Sequence, residues 1–235
     1  MSTAADLAPP AWWHFVGEAG AVVDRWFGRI SASRIGAARE GALAGGAPVM
    51  VFPGFLADDR MTRLVRRAVR AAGRRATGWG VGQNRGVRAD ILDLLAERID
   101  VFAPDEKVAL VGWSLGGLMA RELAKRIPDR IERVVTLGSP FSGSLRANRA
   151  WKLYERVAGH SIEDSPIPAD LPVKPPVPTI AIWSPRDGIV AASCARGNEG
   201  ESDLAMQVNC RHMSFVSAPS AIAAILDALA APIEA

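Results

Sequence analysis

The chain has 235 residues, a length that suits one α/β domain with a substantial core, and its 49% hydrophobic and 23% charged content is that of a folded soluble protein. The net charge of +3 conceals nine Arg and no acid between Arg60 and Arg88. Most of these sit at helical spacing beside Leu64, Val65, Ala68 and Val69, the pattern of a solvated helix face, with an anionic lipid surface or acidic partner as the alternative. No motif supports nucleic-acid binding, and no run approaches the roughly 20 apolar residues of a membrane span. Met1 to Pro10 lacks a basic stretch and carries Asp6, so a cytoplasmic protein is expected.

Trp12 to Ile30 repeats apolar residues at helical spacing, with Glu18, Asp24, Arg25 and Arg29 on much of the other face. An amphipathic helix packed on the domain is expected. The pairs Trp12–Trp13 and Trp26–Phe27 also suit a peripheral membrane or dimer contact. Ser31 to Ala47, rich in Gly and Ala, reads as a connector, so residues 1–47 precede an α/β domain spanning 48–235. Pro48 to Phe52 reads as a buried strand, followed by Pro53-Gly54-Phe55-Leu56 and a helix from Thr62 to Ala72. A short strand at Arg75 to Trp79 leads into the glycine-rich Gly78-Trp79-Gly80-Val81-Gly82-Gln83-Asn84-Arg85-Gly86. That loop has the look of a phosphate-binding turn but lacks the Lys-Ser/Thr that would follow one. A helix is expected from Val87 to Val101.

Val108 to Gly117 then runs four apolar residues into Gly112-Trp113-Ser114-Leu115-Gly116 and straight into a helical pattern ending before Pro128. Strand, tight turn and helix in that order are what a nucleophile elbow requires. A Cβ at Gly112 or Gly116 would crowd the turn, and the new helix aims N–H groups at the serine. Arg133 to Leu137 reads as a strand into Gly138-Ser139-Pro140-Phe141. Residues 142–178 form an irregular, lid-like insertion with a helical stretch from Asn148 to Val157. Strands at Thr179 to Ser184 and Ala205 to Val208 and a helix from Pro219 to Ala231 complete an alternation that implies a doubly wound, mostly parallel sheet.

A serine needs a base, and the chain has three histidines. His14 lies among aromatics of the first helix and His160 in the insertion. His212 follows the last strand, at the sheet edge where a base belongs. The acid expected between serine and histidine is Asp187, just past the strand ending at Ser184, the competing reading being a turn aspartate before Gly188. The loop after the strand Arg133 to Leu137 holds no carboxylate. For an oxyanion, the donors are the N–H groups of Leu115 and Phe55, with Leu56 as fallback for the second.

These segments resemble the α/β-hydrolase superfamily from Val49 to Ala231, and more finely its bacterial lipase- and esterase-like members. The signatures are Pro53-Gly54-Phe55, Gly112-Trp113-Ser114-Leu115-Gly116-Gly117, Thr136-Leu137-Gly138-Ser139-Pro140-Phe141, and Asp187-Gly188-Ile189-Val190 with His212. Pro53-Gly54 stands where relatives carry His-Gly, and the insertion lacks the long amphipathic helix of large lipase lids. Packing is the expected role of Trp151 and Tyr154, with an acyl pocket as the alternative. The resemblance implies cofactor-independent, metal-free hydrolysis of a small-molecule or lipid ester by Ser114, Asp187 and His212 through an acyl-enzyme. The alternatives are an acyltransferase using the same three residues and a binding protein that keeps the fold without turnover. Cys194 and Cys210 fall in the acid and histidine loops, which the fold makes neighbours. Related secreted lipases have a disulfide in this region, and one here would favour export over the cytoplasm.

Overall fold

In the computed structural model, which describes residues 9–20, 31–39, 41 and 43–232, the strands alternate side chains between two apolar layers. In β1 (Val49–Phe52), Val49 and Val51 enter one layer while Met50 and Phe52 enter the other. In β3 (Val108–Trp113), Ala109, Val111 and Trp113 share the first layer, and Val108 and Leu110 the second. Both strands are buried along their whole length, as a sheet covered on both faces demands. With β2 (Ala76–Gly78), β4 (Ile131–Leu137), β5 (Thr179–Trp183) and β6 (Leu204–Gln207) they form one sheet in the order β2-β1-β3-β4-β5-β6, every neighbouring pair parallel. The winding reverses between β1 and β3, and ligands bind such sheets outside the carboxyl ends of the strands near that reversal.

The first layer is closed by the helices Arg63–Ala71 and Pro219–Ala230, the second by Ile91–Phe102 and Leu115–Arg126. Ile222, Ile225, Leu226 and Leu229 are all buried in the last helix, and each such side chain contributes about 1.5–3 kcal/mol. The arginines between 60 and 75 are largely engaged. Arg66 and Arg70 donate to the carbonyls of Asp59 and Ala76, and buried Arg74 to those of Leu43 and Leu229.

The expected order of elements holds, with local differences. Residues 31–37, expected as part of a connector, are helical, because Ala32 and Ile35 pack into the first layer. The helix expected from Val87 begins at Ile91: the Val87 N–H donates to the Tyr154 hydroxyl and its carbonyl meets His160 Nε2, which holds that residue in a loop. A short helix, Ala192–Arg196, was not foreseen. The first helix is described only over Trp12–Gly17, followed by a 3-10 turn, Glu18–Gly20; its expected continuation through 21–30 lies outside the described residues. Trp12, Trp13 and Phe15 are exposed. Among the described residues no helix is long and apolar enough to cross a membrane.

The insertion carries the helix Trp151–Ala158 and is fastened at its far end by Arg121. That side chain is wholly buried and donates to the carbonyls of Leu171, Pro172, Val173 and Glu201 while lying 4.2 Å from the Phe141 ring centroid. Burial pushes its guanidinium down to about 10.

Candidate active site

Ser114 follows the last residue of β3 and takes φ 53°, ψ −121°, a region L-residues avoid. Its N–H donates to Leu137 O across to β4, and its own carbonyl accepts from Gly117 N. A Cβ on Gly112 would stand 2.4 Å from Gly117 Cα, so glycine there is what lets the turn close on the helix. Leu115, the first residue of the helix behind, has an N–H without an intrahelical partner.

Asp187 lies beyond the end of β5. Its Oδ1 accepts from the N–H groups of Ile189 and Val190, each at 2.8 Å, and its Oδ2 meets His212 Nδ1 at 2.7 Å. Both residues are buried. The pairing places the proton on Nδ1 and leaves Nε2 with a lone pair, the form a general base needs. Burial pushes the imidazole down, but the charge and hydrogen bond of Asp187, joined by the charge of Glu18, outweigh it and hold His212 above the usual histidine value. Gly138, at φ 55°, completes the packing: a Cβ there would stand 2.6 Å from the Phe215 ring and 2.9 Å from Asp187 Oδ2.

The structure therefore joins Asp187 and His212 directly. Ser114 reaches them through its neighbour: the Trp113 indole donates to His212 O at 3.2 Å, and its ring lies 5.9 Å from the imidazole. Among the described residues no hydrogen bond links the Ser114 hydroxyl to His212; such bonds are often long before substrate binds. Of the other two histidines, His160 in the insertion contacts Tyr154 and, outside the insertion, the carbonyl of Val87 through Nε2, and the His14 backbone rests against Gly188.

On the opposite wall the Leu56 N–H is committed to Asn84 O at 2.7 Å, so it is not available to a ligand in the cavity. The glycine-rich loop explains why. Asn84, fully buried, donates from Nδ2 to Pro53 O, and its backbone N–H donates to Ala57 O, while Gln83 Nε2 donates to Leu56 O. Asp59 in turn accepts from the N–H groups of Trp79 and Gly80. The resemblance to a phosphate turn is thus a brace for residues 53–57. Its signal was the asparagine among the glycines rather than the glycines themselves.

A cavity of about 390 Å³ opens in front of Ser114, Leu115 and Phe55. Leu118, Met119, Leu145, Ile162 and Ile189 give it apolar walls, and Glu122, Glu163 and Asp164 add carboxylates. Tyr154 packs on Phe55 at 5.4 Å and its hydroxyl accepts from Val87 N, as packing predicts, while the same ring forms part of the cavity wall. Trp151 instead stacks under Arg146 and Lys152. Among the described residues no three His, Cys, Asp or Glu side chains converge as a metal site.

Cys194 and Cys210 are not bonded to one another. Cys194 packs with Ala147 and Val190, and Cys210 in the apolar layer with Ile180, Ile182 and Phe215. The tie between acid and histidine loops comes instead from Ser184, whose hydroxyl donates to Cys210 O at 2.6 Å and accepts from Cys210 N at 3.2 Å. A second tie is Glu18, which the sequence offered only as part of a polar helix face. Its Oε1 accepts from Gly188 N and His212 N, and its Oε2 from Met213 N, each at 2.9 Å.

A family model described as alpha/beta hydrolase fold matches residues 89–160. Over 72 residues, 31% of the chain, it is 40% identical to a pimeloyl-[acyl-carrier protein] methyl ester esterase of Citrobacter koseri. That match spans only about a quarter (27%) of the relative. Polyneuridine aldehyde esterase superposes with a TM-score of 0.53 at 14% identity, covering 77% of this chain and 98% of that one. The naproxen esterase of Bacillus subtilis gives 0.51 at 13% identity, over 77% and 83%. MGS-MChE2, an alpha/beta hydrolase from a lagoon-sediment metagenome, gives 0.55 at 19% identity, over 78% and 90%.

Proposed function

Given that the chain has the α/β-hydrolase fold, we propose that it hydrolyses carboxylic esters through an acyl-enzyme on Ser114. The observation that carries this reading is the buried Asp187–His212 pair at 2.7 Å beside a serine held at positive φ on a strand-to-helix turn. His212 Nε2 takes the Ser114 proton as the hydroxyl attacks the ester carbonyl. The tetrahedral oxyanion sits between the N–H groups of Leu115 and Phe55, and Asp187 stabilises the imidazolium. His212 returns the proton to the leaving alcohol, then draws one from water to release the acid. The relative that acts on a methyl ester and the neighbours named as esterases support this chemistry.

Apolar walls fit an acyl chain of modest length, while the wall carboxylates Glu122 and Glu163 are already ion-paired with Lys125 and Arg146. Short to medium acyl esters are the substrate class. A fluorophosphonate probe and a panel of p-nitrophenyl esters graded by acyl length test the reading. Labelling at Ser114 with activity that peaks at short or medium chains is expected. Absence of both labelling and turnover would overturn it in favour of a binding protein.

A further inference from the structure

Glu18 makes more contacts to the acid and histidine loops than a surface side chain has reason to. We propose that it is a positioning residue of the active site, its carboxylate clamping the acid loop to the histidine loop so that His212 faces Ser114. The proposal rests on the reading of Ser114, Asp187 and His212 given above. The three N–H donors come from Gly188, one residue after the acid, and from His212 and Met213, the base and its successor. They lie 170, 194 and 195 residues away in sequence, so the clamp spans almost the whole chain.

The surroundings are built for it. The helix Trp12–Gly17 ends in the turn Glu18–Gly20, which carries Glu18 inward while Trp12 and Trp13 stay outside. A Cβ at position 188 would stand 2.4 Å from His14 O and 2.9 Å from Glu18 Oε1, so the acid loop and this segment meet at a glycine. Arg149 of the insertion donates to Pro10 O, and its guanidinium lies 5.8 Å from the Phe15 ring centroid, anchoring the segment on its other side. The Arg211 guanidinium packs against Gly20.

Among the described residues, the charged groups that act on the imidazole are Asp187 and Glu18, with the rings of Trp113 and Phe215 on other sides. Glu18 therefore acts on His212 in two ways. It fixes the backbone that carries the ring, and its negative charge favours the imidazolium formed during attack.

The test compares wild type with Glu18→Gln and Glu18→Ala by NMR titration of the His212 ring and by steady-state kinetics on a short p-nitrophenyl ester. Both variants should titrate His212 at lower pH than wild type. Glu18→Ala should lose about 10–100-fold in kcat with KM little changed. Glu18→Gln keeps an oxygen for Gly188 and His212 and should retain more; it also carries the test should the alanine variant fail to fold. Unmoved titration and kcat, with only the Tm lowered, would overturn the proposal. Should wild type neither turn over esters nor label with a fluorophosphonate, the hydrolase reading fails, and the imidazole titration still decides whether Glu18 acts on His212.

Discussion

Ser114 is held by backbone: Leu137 O on the adjacent strand accepts its N–H, Gly117 N–H donates to its carbonyl, and Gly112 lets strand and helix close around it. Asp187 and His212 depend as well on side chains brought together by the fold. Ser184, Glu18, Trp113 and Gly138 each come from a different part of the chain, and three of the four contribute side chains. A turn shaped by backbone sterics survives the loss of the side chain it presents. A pair shaped by side-chain hydrogen bonds does not survive the loss of its partners. The nucleophile side should accordingly tolerate mutation structurally while losing activity, and the acid–base side should lose both.

The sharpest break falls on Ser114→Ala. Ester hydrolysis should drop by about 10⁵-fold or more, with Tm no lower than wild type. A Tm loss as large as that of an Asp187 variant would contradict the contrast. Asp187→Asn should cost about 10⁴-fold in kcat and lower the Tm as well. It should also move the acidic limb of the kcat/KM profile to lower pH, because the carboxylate is what holds His212 above the usual histidine value. The linkage has a definite sign. A group raised on folding binds its proton more tightly in the native state, so its stabilisation is complete below the ordinary value of about 6.5. It drains away as pH rises through the raised value, and the Tm gap between wild type and Asp187→Asn should narrow over that range.

Asn84→Ala asks whether the oxyanion wall behaves like the elbow or like the acid–base pair. Its two side-chain bonds, to Pro53 O and from Gly86 N, are buried, so stability should fall by about 1–3 kcal/mol in urea unfolding. Loosening of residues 53–57 should lower kcat by about 10–100-fold with KM less affected. The smallest effect is expected from reductant. With Ser184 rather than a disulfide joining the loops, Tm should be the same with and without dithiothreitol.

This division also governs what could be read from the residues in order. Gly112 to Gly117 was legible because its constraints are local: apolar strand, forced turn and helix start are written within ten residues. Asp187 and His212 could be found by their places after strands, since the sheet's winding puts every such loop on one edge. Asn84 was visible as a motif but not as a brace, because its partners Pro53 and Ala57 lie well upstream. Glu18 was not legible at all. Helical spacing explains a glutamate on a polar face, and no local pattern marks a side chain whose donors stand 170 residues and more away. The helix at 31–37 was missed for the same reason, Ala32 and Ile35 being recruited by tertiary packing rather than by any periodic stripe.

Arg121 sets a direction on the cavity. It sits on the helix that supplies Leu118, Met119 and Glu122 to the cavity wall, and it grips the insertion's backbone at residues 171–173. That end of the insertion is welded to the floor. The opposite arm, which brings Leu145, Tyr154 and Ile162 to the cavity, is held by a separate set of backbone groups: Tyr154 and His160 meet Val87, and Arg149 reaches Pro10. The insertion is thus pinned at both ends, and the cavity's width is set by two independent sets of hydrogen bonds rather than by the packing of its apolar walls alone.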